Sequence, residues 1–256
     1  VGDMITVFVP SFREAMLARL FQSMEVSQRG STAGIVVLDN GVSLSARARW
    51  PQVRFLPVPV PFVAAQAFNI GFAAFPEDDV VVIGDDSEVR SPYWSSRAEA
   101  MFRYWPFDYG LLSFAETTTA AVYGELPPPL KPLEMSVVAM GSGIAIPRRV
   151  LRQAGPWDET LIGYGFDDFD YGVRLLHMGY RLGVAGDVLL HTEAQATAWV
   201  ERLGSWQAVL ERQEVNHEVF LRKWRRSLPP KPWVVERPVT ADHLHLQRCA
   251  CLGGTA

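Results

Sequence analysis

The chain has 256 residues, 48% of them hydrophobic and 20% charged, a balance that fills one large α/β core or two small ones. A net charge of −4 carries no footprint of a general nucleic-acid binder, and no apolar run is long enough to span a membrane. Cys249 and Cys251 are too few for a disulfide framework or a complete zinc site, and with no basic-then-apolar leader pattern at the start a cytoplasmic protein is expected, or one peripheral to the membrane.

The β-branched run 4–10 (MITVFVP) predicts a buried strand. Ser11 and Glu14 then stand at capping-box spacing before an apolar stripe of Leu17, Leu20, Phe21 and Met24, which predicts a helix to about residue 28. A second strand follows over 34–38 and ends in Asp39-Asn40-Gly41. Strand, helix and strand in this order imply a right-handed crossover in a parallel sheet. Ligands of such sheets bind beyond the carboxyl ends of the strands, where Ser11, Asp39 and Asn40 fall. For Asp39 an Asx turn with the two residues after it is the alternative.

A third strand is expected over 53–56, a proline-rich extended stretch over 57–61, and a helix over 64–75. Gly71 in the middle of that helix costs about 1 kcal/mol, which points to close packing or to a ligand near it. Residues 78–83 (DDVVVI) predict a central strand leading into Gly84-Asp85-Asp86. Two adjacent carboxylates there suit a divalent cation and its phosphate partner, or a polar turn before Ser91-Pro92.

Residues 93–135 read as irregular, aromatic and proline-rich, with a small polar stretch at 117–121. A strand over 136–140 is followed by Gly141-Ser142-Gly143, an extended stretch over 144–146 and a short helix opened by Pro147. Asp167, Asp168 and Asp170 then open a helix behind Gly163 and Gly165. Three acids exceed what a cap needs, and their mutual repulsion calls for raised proton affinities or a positive partner. Arg174, four residues after Asp170, is such a partner, which leaves Asp167 and Asp168 free for other work. Two short strands over 180–185 and 187–191, the latter closed by His191, precede one long amphipathic helix over 198–226 and a loosely packed tail over 229–256.

In order and spacing these pieces resemble the inverting family 2 glycosyltransferases of GT-A fold, over about residues 3–225. The resemblance rests on the first strand and its turn with Pro10, Ser11 and Arg13, on Asp39-Asn40-Gly41, on Asn69-Ile70-Gly71, and on Gly84-Asp85-Asp86 in place of an Asp-x-Asp metal motif. It continues through residues 141–155 with Trp157-Asp158-Glu159, through Asp167-Asp168-Phe169-Asp170, and through a late histidine, His191. Two departures are Gly84 for the first acid of the metal motif and Asp167 for the usual glutamate.

The resemblance implies an α/β fold with a mostly parallel, Rossmann-like central sheet flanked by helices and a C-terminal helical extension. It implies one domain over 1–228, with a nucleotide-sugar-binding half over about 1–90 and an acceptor-side half over about 91–195. The activity implied is transfer of a sugar from a UDP-, GDP- or dTDP-sugar to the hydroxyl of a glycan or small-molecule acceptor. Asp168 is the general base, and Asp167, Trp157 and Gly141 face the acceptor. Pro10, Ser11, Arg13, Asp39, Asn69 and Asp85 face the donor, and Asp86 and His191 hold Mn²⁺ or Mg²⁺. A homodimer is compatible with this reading. The alternative is a non-catalytic nucleotide- or glycan-binding module of the same fold.

Overall fold

The computed structural model describes residues 5–27, 33–117, 126–135, 142–192 and 197–224. The strand expected over 136–140, Gly141, the 118–121 stretch and the C-terminal tail with both cysteines lie outside them.

Strands β1 (Ile5–Ser11), β2 (Gly34–Asp39), β3 (Arg54–Pro57) and β4 (Asp79–Ile83) form the parallel half of one sheet. Their order, β3-β2-β1-β4, places the reversal of chain direction across the sheet between β1 and β4. The other half is mixed and holds β5 (Ser87–Val89), β6 (Tyr109–Glu116), β8 (Gly143–Ile146) and β9 (Arg181–Thr192), in the order β4-β8-β6-β9-β5, with β7 (Leu133–Met135) on β9.

Alternation along β1 sends Val7 and Val9 to one face and Phe8 to the other, and each face is covered by helices. The first face packs α1 (Glu14–Ser27) and α4 (Trp94–Arg103) through Leu17, Leu20, Trp94 and Met101. The second packs α3 (Ala64–Ala74), α5 (Arg148–Ala154) and α6 (Asp167–His177) through Phe68, Val150, Tyr171 and Leu175. Each fully buried side chain of this size contributes about 1.5–3 kcal/mol. A short α2 (Leu44–Arg49) lies between β2 and β3. Gly71 meets the close packing its position implied: a Cβ there would lie 3.0 Å from the Phe8 ring, so α3 lies directly on β1.

Three expectations change. The stretch read as irregular contains α4 and the buried strand β6, whose YGLLSFAE has no alternation because both its faces are covered. The two short strands after residue 180 are one strand, β9. Its pairing with β6 jumps from Ala185 to Leu189, an irregularity that spans Gly186, Asp187 and Val188. The Asp187 carboxylate accepts the Leu130 N–H there at 3.1 Å, and a Cβ on Gly186 would collide with the Pro127 carbonyl. The C-terminal helix is two helices, α7 (Thr197–Leu203) and α8 (Trp206–Trp224). Gly204 ends the first at φ +82°, and Ser205 caps the second by accepting the Ala208 N–H at 3.1 Å. Through Phe220, α8 packs on Phe166, Phe169 and Val173 of the α6 region.

Candidate active site

The crevice beyond the carboxyl ends of β1 and β4 is where a sheet of this topology offers a ligand site. Its floor is a buried polar cluster. Ser11 Oγ donates to Asp85 Oδ2 at 2.6 Å, and Arg13 Nε donates to the same oxygen at 3.1 Å, with Arg13 Nη2 on Oδ1. Both oxygens of Asp85 are therefore engaged inside the protein. Asp86 is the carboxylate left over. Its carboxylate lies 3.9 Å from Arg13 Nη2. Burial first, then the neighbouring charge of Asp85, push it up to about 6, against the pull of Arg13. Gly84 explains the departure in the metal motif: a Cβ there would lie 2.8 Å from Asp86 Oδ1, so the Asp86 carboxylate lies in the space that a side chain at 84 would take.

The facing wall is the turn that opens α6. Gly163 (φ +90°), Gly165 (φ +85°) and Phe166 (φ +69°) take left-handed conformations, and at Gly163 a Cβ would run into the Arg212 side chain of α8. This turn delivers Asp167 and Asp168 to the N-terminus of α6, where unpaired N–H groups and the helix dipole favour negative charge. Asp168 Oδ1 accepts the Phe169 N–H at 2.8 Å. Both carboxyls hold their protons well above the usual carboxylate range. Burial is the first cause for each, with the charge of Asp170 acting on Asp167 and that of Asp167 acting on Asp168, the higher of the two. The phenol of Tyr164 is raised by burial and by the charges of Asp168, Asp167 and Asp86, so carboxylates from both walls surround it. All four residues line one cleft.

Pro10, Ser11, Arg13, Asp85, Asp86, Trp157, Asp167 and Asp168 are brought together on this cleft. Others sit elsewhere. Asn69 donates to the Trp157 carbonyl at 3.0 Å and accepts the Trp157 N–H at 2.8 Å, so it holds the loop that carries Trp157. Trp157 is 2% exposed, stacked on Tyr171 with the edge of Phe68 against it, which closes its faces to a sugar; its indole Nε1 has no partner. Asp39 forms the Asx turn, accepting the N–H groups of Gly41 and Val42, with Arg47 Nη2 2.6 Å from its other oxygen. His191 pairs with Glu88 across β5 and β9, and its Nδ1 lies 3.0 Å from Thr117 Oγ1; it is not among the residues lining the cleft. Among the described residues, the group of three potential metal ligands is Glu214, His217 and Glu218, on α8 and off the cleft.

Sequence reasoning missed Tyr164, Trp199 and Arg202. The Arg202 guanidinium stacks 3.9 Å from the Phe12 ring centroid and 4.9 Å from that of Phe62, and Nη1 donates to Asn40 Oδ1. It sits near the end of α7, just before the break at Gly204, and lines the cleft from there. In the sequence Arg202 is one more polar position in an amphipathic pattern.

No protein-family model and no curated protein matches the sequence. Solved structures do match. A Pyrobaculum calidifontis mannosyltransferase, in complex with GDP-Man and Mn²⁺, superposes with a TM-score of 0.55 at 15% identity, over 98% of this chain and 76% of that one. GalNAc-T7 with UDP, GalNAc and Mn²⁺ gives 0.59 at 12%, over 96% of this chain and 54% of that one. The glucosyl-3-phosphoglycerate synthase of Mycobacterium tuberculosis, with Mn²⁺, UDP and phosphoglyceric acid, gives 0.54 at 19%, over 82% and 78%. The chain has a GT-A-type glycosyltransferase fold. The cleft between β1, β4 and α6 is thus the crevice of a GT-A domain, and among its described residues no helix is long and apolar enough to cross a membrane.

The crowded carboxyls of this GT-A cleft have a consequence for stability. Their folded proton affinities exceed the unfolded value near 3.9. The folded chain therefore binds more protons between that pH and the folded values, and stability from these groups is full at low pH and is lost as pH rises through the folded values. Asp168→Asn and Asp86→Asn are expected to stabilise the fold by about 1–2 kcal/mol at pH 8 and to give no gain at pH 4. Urea denaturation at the two pH values measures this, and a gain that does not depend on pH contradicts it.

Proposed function

We propose that the chain is a divalent-metal-dependent, inverting glycosyltransferase that moves a sugar from a nucleoside-diphosphate sugar to an acceptor hydroxyl. The observation that carries this reading is the juxtaposition of Asp86, in the turn after β4, with Asp167 and Asp168 from α6 across one cleft, with Tyr164 on its lining.

Asp168 serves as the general base. Its carboxylate takes the proton of the acceptor hydroxyl as that oxygen forms its bond to the anomeric carbon. The bond from that carbon to the diphosphate oxygen breaks, and its electron pair leaves with the diphosphate, which inverts the centre in a single displacement. The raised proton affinity of Asp168 suits this work, since a base at the usual carboxylate value would be too weak at neutral pH. Asp167 orients the acceptor. Trp157 bounds the acceptor side by the edge of its ring, and Gly141, outside the described residues, is assigned to acceptor binding by the resemblance alone.

On the donor side Ser11, Arg13 and Asp85 form the rigid floor, and Pro10 lines it. Arg202 supplies positive charge to the leaving diphosphate. Asp39 and Asn69 act through the loops they hold: Asp39 fixes the turn bearing Asn40, and Asn69 fixes Trp157. Asp86 fits a divalent ion, Mn²⁺ or Mg²⁺, because it is a partly buried carboxylate on the cleft with a weak cationic contact; His191, which the resemblance implies as a second ligand, lies beside Thr117 and off the cleft lining, so Asp86 carries the proposed ion on this wall. Such an ion supplies Lewis-acid neutralisation of the diphosphate charge.

A thermal-shift screen with UDP, GDP and dTDP, each with and without Mn²⁺, tests the donor site. A nucleotide at ~100 times its Kd stabilises the fold by about 2.7 kcal/mol. The expected result is a shift with one nucleotide that grows with the metal. No shift with any of the three rejects the donor site and favours a non-catalytic module.

A further inference from the structure

The C-terminal end of α8 grips the helix that carries the proposed base. Asp170, one turn into α6, is 1% exposed, so its carboxylate is out of water. Lys223 Nζ lies 2.7 and 2.9 Å from its two oxygens, and Trp224 Nε1 donates to Oδ1 at 2.6 Å. Arg174, the partner that the helical spacing suggested, is farther away at 3.4 Å, and its other nitrogen goes to the carbonyls of Ala154 and Pro156. Lys223 also reaches Asp158 Oδ2 at 2.8 Å. Asp158 directly follows Trp157, and the ammonium with Thr160 holds it down to about 2 although burial pushes the other way. One ammonium thus ties together α8, the first turn of α6 and the loop bearing Trp157.

Without Lys223 the buried Asp170 carboxylate keeps only the longer Arg174 contact and the Trp224 N–H, and weakening the pairing of a buried carboxylate is more costly than losing a surface ion pair. The hydrophobic contacts of Phe220 with Phe166 and Phe169 run alongside and set the same two helices against each other. In the turn they hold, three of the four positions 163–166 (Gly163, Gly165 and Phe166) have positive φ, a backbone that relies on its surroundings to stay in place.

We propose that Lys223 and Trp224 are positioning residues: by holding Asp170 they fix the first turn of α6, and with it the reach of Asp167 and Asp168 into the cleft. The inference rests on the reading of Asp168 as base, and it makes the C-terminal helix part of the working site although neither residue lines the cleft. A displacement of a reacting group by about 1 Å lowers turnover by about 10²-fold.

The test uses the full chain and the variants Lys223→Met, Lys223→Arg and Trp224→Phe. Expected for Lys223→Met is a loss of about 10- to 100-fold in kcat on the sugar nucleotide with KM within about threefold, most of it recovered in Lys223→Arg. Trp224→Phe, which keeps the ammonium, shows a smaller loss in the same direction and serves if Lys223→Met does not fold. Amide hydrogen exchange over residues 167–171 speeds up in Lys223→Met while the strands β1 and β4 keep their protection. A kcat within twofold of the unmodified chain in both folded variants overturns the proposal, whatever the exchange does. If the unmodified chain turns over no sugar nucleotide, or turns it over without needing Asp168, the reading of the base has failed. Exchange then decides this inference alone, and unchanged exchange at 167–171 overturns it.

Discussion

Asp168→Asn is expected to lower sugar transfer by about 10²- to 10⁴-fold, the usual contribution of a positioned base, while donor affinity stays within about threefold. The amide keeps the shape of the side chain and can still accept the Phe169 N–H, so the first turn of α6 survives. What it cannot do is accept the proton of the acceptor hydroxyl. A loss in kcat with unchanged donor binding is the signature of a group needed in the transition state alone. In the unmodified chain, kcat should rise with pH through an acid limb well above the ordinary carboxylate value near 4. The limb is raised because burial and Asp167 favour the protonated form of Asp168, which is inactive as a base. Asp168→Asn removes that limb together with the rate. Steady-state kinetics from pH 5 to 9 checks both, and a limb near 4 contradicts the assignment.

Asp86→Ala carries the second large effect. The metal-dependent part of nucleotide binding is expected to vanish, and turnover to fall by about 10²-fold or more, because the neutralised diphosphate charge amounts to several kcal/mol. Its neighbour provides the contrast. Asp85 is paired with Arg13, each side chain 6% exposed, and removal of one member of such a pair costs about 3–5 kcal/mol. Asp85→Ala should therefore unfold at markedly lower temperature, whereas Asp86→Ala should be at least as stable as the unmodified chain near pH 8. Calorimetric titration with nucleotide and Mn²⁺, beside thermal melts of the two variants, separates a ligand-facing carboxylate from a structural one. Equal loss of binding and of stability in both would mean that the pair acts as one structural unit.

Much of this site was legible in the sequence because its parts are local. A carboxylate at the end of an apolar strand, as with Asp86, and acids at a helix start behind glycines, as with Asp167 and Asp168, announce both their place and their surroundings. The parallel half of the sheet was readable for the same reason, since β1, β2 and β4 are short apolar runs with clear ends. What was hidden depends on contacts between distant segments. Asp39 and Asn69 look like ligand-facing residues, but Arg47 and the Trp157 backbone occupy them. Arg202 lines the cleft from near the end of α7, just before the break at Gly204, which an amphipathic pattern does not mark strongly. Lys223 and Trp224 are separated from Asp170 by more than fifty residues, whereas Arg174 stands at helical spacing and draws attention to itself. β6 escaped because a strand covered on both faces has no periodicity to detect.

The central claim is tested most directly by incubating the full chain with UDP-, GDP- and dTDP-sugars in the presence of Mn²⁺ and following release of the nucleoside diphosphate and the anomeric configuration of the sugar product by NMR. The account predicts that one nucleotide series is cleaved, that chelation of the metal stops the cleavage, that the product is inverted, and that Asp168→Asn abolishes it. Cleavage with retained configuration, or cleavage undiminished in Asp168→Asn, would contradict the mechanism. Well-folded protein that binds none of these donors and cleaves none of them would contradict the function itself.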